Sequence, residues 1–303
     1  MSFTQDNSSD SIQPRSLKER RFDQTFKGLA RFFAFLIAAI LLAIALLVTI
    51  RAWPAIAEYH LGFLFKSTWK PNDPPDFGVL PAIYGTIVSS MLALAISVPI
   101  GLGIAIFLSE DYLPTKVQRI LVFLVELLAA IPSVLYGLWG IFVLIPFLKE
   151  ITPLRGPAML PAALILAIMT LPIIAALSRD ALSNVPLELR QASVGLGATR
   201  WETIFFIILP AASSGIIGGI MLALGRALGE TMAATMLIGN NNTEIDFSIF
   251  EPSNTIASLL ANQFAEASGL QVSALMYAGL ILFILTLCVN ILAELLVKRL
   301  QKI

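Results

Sequence analysis

The sequence predicts an all-α, polytopic membrane protein with six transmembrane helices and a polar helix pair inserted between the fourth and the fifth. Three observations carry that reading. Of the 303 residues, 57% are hydrophobic and 13% charged, whereas about a quarter of an ordinary soluble domain is charged. Runs long enough to cross hydrocarbon, which takes about 20 mainly apolar residues, fall at Leu29 to Ile50, Leu80 to Leu108, Val117 to Leu148, Ala158 to Leu177, Ala211 to Ile238 and Val272 to Val297. Lys and Arg also alternate in density from loop to loop. They cluster in the N-terminal tail, at Lys116 and Arg119, at Arg179, Arg190 and Arg200, and at Lys298, Arg299 and Lys302, and they are sparse or absent in the loops between. The positive-inside rule then puts both termini in the cytoplasm, together with the segment around Gln191.

Residues 1–28 read as a cytoplasmic tail, polar and Ser-rich before turning basic, and residues 29–303 as the transmembrane domain. A disordered tail and an amphipathic elbow helix from Ser16 to Lys27 on the membrane surface both fit this composition. The first apolar run is too long for a signal-peptide core and reads as a retained span. The loop from Arg51 to Val79 carries Trp53, Tyr59, Phe63, Phe65, Trp69 and Phe77 among four prolines, a pattern expected of an interfacial aromatic belt.

The second span contains Pro99, Gly101 and Gly103, and the third contains Pro132, Gly137, Gly140 and Pro146. Val117 to Leu148 is too long for one straight crossing, so a break is expected near Pro132. Glu126 is an acid inside this run. Such groups are costly in hydrocarbon and serve as functional candidates, although Glu126 also lies close enough to Lys116 and Arg119 to sit at the interface.

Residues 178–210 interrupt the hydrophobic pattern. Pro186 suits the first position of a helix that Gly195 and Gly197 end. Thr199 followed by Glu202 is a capping box, opening a second helix that reaches Leu209-Pro210. A polar helix pair cannot sit in hydrocarbon. It is expected to project from one face and touch a partner.

In the fifth span Gly215 with Gly219, and Gly225 with Gly229, give two small-residue faces suited to close helix contact. Arg226 and Glu230, four apart, are expected to share a helical face and neutralise one another. They either line a path or form a structural pair. The loop from Gly239 to Leu270 holds Glu244, Asp246, Glu251 and Glu266 and no base.

Several classes drop out. The sequence has no Gly-x-x-x-x-Gly-Lys-Ser/Thr nucleotide loop and no Gly-x-Ser-x-Gly elbow. Its only histidine is His60, its only cysteine is Cys288, and Asp is missing from all six runs. Catalysis by this chain, ATP hydrolysis included, is not expected, and neither is a cofactor or a metal.

Gln191-Ala192-Ser193, Gly197, Ile207 and Leu209-Pro210 stand at the spacing of the Glu-Ala-Ala, Gly, Ile, Leu-Pro pattern of permease subunits from ATP-binding-cassette (ABC) importers. Gln191 replaces Glu and Ser193 replaces Ala. The segments Ser67-Thr68-Trp69 to Tyr84-Gly85-Thr86, Glu126 to Gly140, and Leu224-Gly225-Arg226-Ala227-Leu228-Gly229-Glu230-Thr231-Met232-Ala233 resemble phosphate-specific importer permeases of the PstC type. The resemblance implies a type I importer fold in a bacterial plasma (inner) membrane, and a permease subunit that carries inorganic phosphate through the lipid bilayer by alternating access. It implies a second permease, two cytoplasmic ATPase subunits and an extracytoplasmic phosphate-binding protein as partners, and no nucleic acid. Gln191, Ala192, Ser193, Gly197, Trp201, Ile207, Leu209 and Pro210 would couple to the ATPase, and Arg226, Glu230 and Glu126 are candidates for the path. An ion-coupled secondary transporter of a small anion, or an ABC permease for another oxyanion, is the rival reading. The polar helix pair has no role in the first of these, and no internal repeat supports it.

Overall fold

The computed structural model describes residues 17–72, 74–110 and 112–300, with side chains described from residue 24 to residue 295. It divides into two compact units, Met1–Val48 and Thr49–Ile303. In the first, helix α1 (Leu17–Tyr59) already begins before the apolar run at Leu29, so residues 17–28 are helical. The remainder of the expected tail lies outside the described residues. Phe26, Phe32, Phe35 and Leu42 stand exposed, as suits a helix whose solvent is lipid.

The second unit contains the rest of α1 and helices α2 (Leu80–Ser109), α3 (Thr115–Ala129), α4 (Ser133–Trp139), α5 (Ile145–Ile151), α6 (Met159–Ser183), α7 (Leu187–Gly195), α8 (Arg200–Thr203), α9 (Leu209–Gly229), α10 (Met232–Leu237), α11 (Ile256–Gln263) and α12 (Leu270–Leu300). Six helical stretches among the described residues are long and apolar enough to cross a membrane, and the chain is a multi-pass membrane protein.

Helix α6 is the most enclosed of these stretches, and small residues explain its position. A Cβ on Gly101 of α2 would lie 2.9 Å from Ile174 of α6. On α9, one on Gly215 would lie 2.5 Å from Ala181 and one on Gly219 3.0 Å from Leu177. The expected close contact at the first glycine pair is therefore made against α6. Gly225 and Gly229 meet nothing within 4 Å.

Prolines act differently in different spans. Pro99 lies inside an unbroken α2. Pro132 is the N-cap of α4 and separates it from α3, which is the expected break. The third crossing is thus Ser133–Ile151, and α3 is a separate helix that buries none of its residues. Pro146 and Pro210 break nothing. Each follows a π-helical stretch, Gly140–Leu144 and Ile204–Ile208, in which the chain bonds from residue i to i+5. A proline ring clashes with the carbonyl four residues back, and the widened turn gives that carbonyl room. As a result α8 runs through Pro210 into α9 as one rod rather than stopping there as the sequence suggests.

The segment before α2 folds into a small core of its own. Strands β1 (Trp69–Lys70) and β2 (Asp76–Phe77) pair antiparallel, Trp69 opposite Phe77. Phe63 and Phe77 are fully buried and Trp69 nearly so. Phe63 stacks on Tyr277 of α12 at 4.7 Å, and Phe77 meets Trp69 at 4.9 Å. Only Trp53 and Phe65 of this set keep the exposure expected of a belt. The rest gain more from mutual burial than from lipid headgroups.

The acidic loop after α10 is likewise packed. Its carbonyls at Glu251 and Ile249 accept from Met159 and Leu160 N–H, satisfying donors that the start of α6 would otherwise leave free. Thr86 Oγ1 of α2 accepts from Ile256 N–H at 2.9 Å.

Candidate functional site

The interruption between α6 and α9 forms as the local sequence dictates. Helix α7 begins after Pro186, which is its N-cap rather than its first residue. It ends in a Schellman turn: Ala198 N–H donates to Ser193 O at 3.2 Å, Gly197 N–H donates to Val194 O at 2.9 Å, and Gly197 takes φ +88°. That left-handed conformation is why glycine is needed there. Both halves of the Thr199–Glu202 capping box are present. The buried Ser193 hydroxyl lies 2.9 Å from that of Thr203, so the departure from Ala at this position pins α7 to α8.

Apolar side chains on this polar segment are left uncovered. Leu196 is 90% exposed and Phe206 74%, and Leu187, Val194, Trp201 and Phe205 are also exposed. Beside them opens a cavity of about 500 Å³ lined by Arg190, Gln191, Val194, Thr203 and others. Gln191 and Ala192 are exposed, Ile207 and Leu209 are half-buried and Pro210 is exposed. Leu209 and Pro210 lie at the join with α9 and not on the projecting helices.

Two contacts that the sequence reading did not find hold this segment to the turn between α2 and α3. Arg190 Nη1 donates to Glu110 Oε1 at 2.5 Å while its Nη2 donates to Leu182 O at 2.8 Å. Tyr112 packs against Trp201 at 6.4 Å and lies under the Arg200 guanidinium at 6.0 Å. Glu110 and Arg190 are 80 positions apart, and no local pattern signals such a pair.

The expected pairing of Arg226 with Glu230 is not formed. Helix α9 ends at Gly229, and Glu230 has extended backbone, φ −68°, ψ 122°, so the two no longer share a helical face. The Glu230 carboxylate instead accepts from Ala233 N–H at 3.3 Å, at the start of α10. Arg226 is exposed, on the same face of α9 as Gly218, Leu222, Gly225 and Gly229. Tyr136 of α4 donates its hydroxyl to Leu128 O at 2.9 Å, across the break at Pro132. Glu126 belongs to a different place. It faces Arg179 of α6 at 3.8 Å, beside a cavity of about 340 Å³ that Gln118 and Arg119 also line.

A six-span bundle interrupted by an exposed, partly apolar helix pair is the arrangement that comparison with known proteins assigns to importer permeases. Residues 97–302 match the model of the binding-protein-dependent transport system inner membrane component. The chain is 42% identical over 297 residues to the phosphate transport system permease protein PstC of Pasteurella multocida, covering 91% of this chain and 92% of that one. It is 41% identical to PstC of Haemophilus influenzae, with coverage of 93% and 96%, and 35% identical to a probable PstC of Methanocaldococcus jannaschii, with coverage of 82% and 85%. The chain belongs to the PstC family of phosphate transport system permease proteins. Among solved structures, a chain of a bacterial alginate ABC transporter matches with TM-score 0.65 at 18% identity, over 92% of this chain and 98% of that one. A chain of the MetNI methionine ABC transporter matches with TM-score 0.55 at 20% identity, over 74% and 94%. These two likenesses concern the fold, which is that of type I ABC importer permeases.

Proposed function

We propose that the chain forms, with a second and similar permease, the path by which inorganic phosphate enters the cell through an ATP-driven importer. The observation that carries this reading is the α7–α8 pair, an ordered polar lever that leaves large apolar side chains uncovered. Of the two ATPase subunits of the complex, one docks there from the cytoplasm and the other on the second permease, and both termini share that side, as the distribution of Lys and Arg favours. ATP hydrolysis belongs to those subunits, since this sequence has no nucleotide loop.

Phosphate as the substrate is supported by the names of the relatives and by Arg226. A guanidinium offers an oxyanion paired, charge-assisted donors. An exposed charge within a span is costly unless it faces water or a polar partner, which suits a path running along the open face of α9 against the second permease. In this reading the Glu230 carboxylate leaves its bond to Ala233 N–H to take that guanidinium in one state of the path and returns to it in the other. ATP binding closes the ATPase pair, α7 and α8 follow, and the spans open outward to receive phosphate from an extracytoplasmic binding protein. Hydrolysis returns them inward.

The test is ATPase activity of the purified complex in lipid, with and without phosphate-loaded binding protein. Stimulation by the phosphate-loaded form, and none by sulfate- or molybdate-loaded counterparts, is expected. Ion-driven phosphate flux through this chain without any co-purifying ATPase would overturn the reading.

A further inference from the structure

We infer that the turn between α2 and α3 is a second receiver of the α7–α8 movement, and that Glu110 and Arg190 are the positioning residues that fasten it. The inference rests on the function proposed above and adds a route that does not pass through α9.

Three features converge on this turn. The side chains of Glu110 and Arg190 are both 19% exposed, so either would be left as a largely desolvated charge if the other were removed. With one end on Glu110 and the other on the Leu182 carbonyl, the Arg190 guanidinium joins α7 to the end of α2 and the end of α6. Independently, Tyr112 stacks on Phe107 of α2 at 6.1 Å and meets Trp201 and Arg200 of α8. Gln118 of α3 donates to Leu108 O of α2 at 2.5 Å. The turn is thereby tied to α7 on one side and to α8 on the other, and α3 is tied to α2.

Through the chain itself the lever is joined to α6 and to α9. Joined also to this turn, it drives α2 and α3. Helix α3 ends at the Pro132 break, where Tyr136 of α4 bridges back to Leu128, so this second route reaches α4 across the break. The aromatic contacts can slide, whereas the short ion pair fixes direction and register.

The experiment measures phosphate imported per ATP hydrolysed by the complete complex in vesicles, for Glu110→Gln, Arg190→Gln and the double variant. It counts only complexes that retain the subunit stoichiometry of the parent. Each single variant is expected to lower this ratio by about fivefold or more. The double variant is expected to match the worse single one within about twofold, because both remove one shared interaction. If Arg190→Gln does not assemble, Glu110→Gln alone decides the matter. An unchanged ratio in a single variant, losses that multiply, or failure of both single variants to assemble would overturn the inference, the last because it would make the pair merely structural. ATP-independent import by the parent complex would instead sink the proposed function, so the two failures are distinguishable.

Discussion

The two ends of α2, about 45 Å apart for a 30-residue helix, are built on opposite plans. At the Leu80 end the chain closes on itself: Phe63 and Phe77 are fully buried, the hairpin and α12 share an aromatic core, and the loop before α11 packs against the helix. At the Ser109 end Leu182, Ile204 and Ile208 make a small buried cluster with Ala105, but Leu196 and Phe206 remain bare, and α7 and α8 are fastened to the turn after α2 by one guanidinium and ring contacts. Burial of apolar surface dominates stability, so the first end carries more of the fold's stability, while the second leaves bare the apolar surface on which the proposed ATPase contact rests. The lesson is that binding surface and fold stability reside at different ends of the same helix, and mutations there fail in different ways.

The contrast is broken most strongly at Gly85. A Cβ there would lie 1.9 Å from the Asn254 carbonyl oxygen and 2.9 Å from its carbon, and that backbone group cannot step aside without moving the loop. Gly85→Ala is expected to destabilise the complex by about 3 kcal/mol through overpacking, read as a fall in its melting temperature and yield. Gly103→Ala, on the same helix with nothing within 4 Å, is the control and is expected to be neutral or to stabilise by up to about 1 kcal/mol. Equal melting of the two variants would mean that the loop does not rest on α2.

Between the two ends lie the charged candidates. Glu230→Gln is expected to lower phosphate uptake about tenfold, equivalent to about 1.4 kcal/mol, with ATPase subunits still bound. Glu126→Gln is expected to lower it less than about twofold, because that carboxylate pairs at 3.8 Å on an exposed helix face, where such pairs contribute little. Equal and normal uptake in both would make Arg226 and Glu230 structural.

Legibility in the sequence followed the range of the interaction. The six spans, the break at Pro132, the glycine turn at Gly197 and the Thr199–Glu202 box all rest on neighbours within a few turns, and all are present. The end of α9 at Gly229 was not foreseen, because an apolar run with no proline reads as continuous helix. Pro210 was misread in the opposite sense, since a π turn absorbs the ring that should have ended a helix. Tyr59, Phe63, Trp69 and Phe77 read as a belt in the sequence because the pairing that buries them lies across a proline-rich loop. Glu110 with Arg190, 80 positions apart, is a tertiary pair that no window of sequence contains, and Ser193 with Thr203, though ten apart, meet only once the turn at Gly197 has folded α7 onto α8.

At the Ser109 end of α2, Gly197→Val isolates the proposed lever. Its Cβ would meet nothing within 4 Å, so the cost is backbone strain at φ +88° alone, about 1–2 kcal/mol. That is too little to dismantle the complex but enough to distort the turn between α7 and α8. Expected is ATP hydrolysis that persists at no less than about half its rate while uptake falls about fivefold. If uptake and turnover both survive, this turn does not carry the lever.

The smallest effect is assigned to the closed end, at the salt bridge beside its hairpin. Lys66 Nζ donates to Asp76 Oδ1 at 2.7 Å and Thr68 Oγ1 to Asp76 Oδ2 at 2.9 Å. The bond from Lys66 first, and that from Thr68 after it, hold the Asp76 carboxyl below its ordinary value of 3.8. The same bond holds Lys66 above its ordinary 10.5. The carboxylate's contribution is therefore complete above pH 3.8 and is lost as pH falls through the lower folded value. That of the ammonium is complete below pH 10.5 and is lost as pH rises through the higher one. Across the range in which phosphate is transported the pair does not titrate, and both partners are solvent-exposed, where ion pairs add little. Melting of the parent complex should accordingly be flat from about pH 5 to pH 9 as far as this pair is concerned. The small deficit of Asp76→Asn should persist unchanged over that interval and close only below pH 3.8. A deficit that varied near neutrality would place another titrating group in this end of the molecule, and one as large as that of Gly85→Ala would move the stability of the hairpin from its buried aromatics to its surface charge.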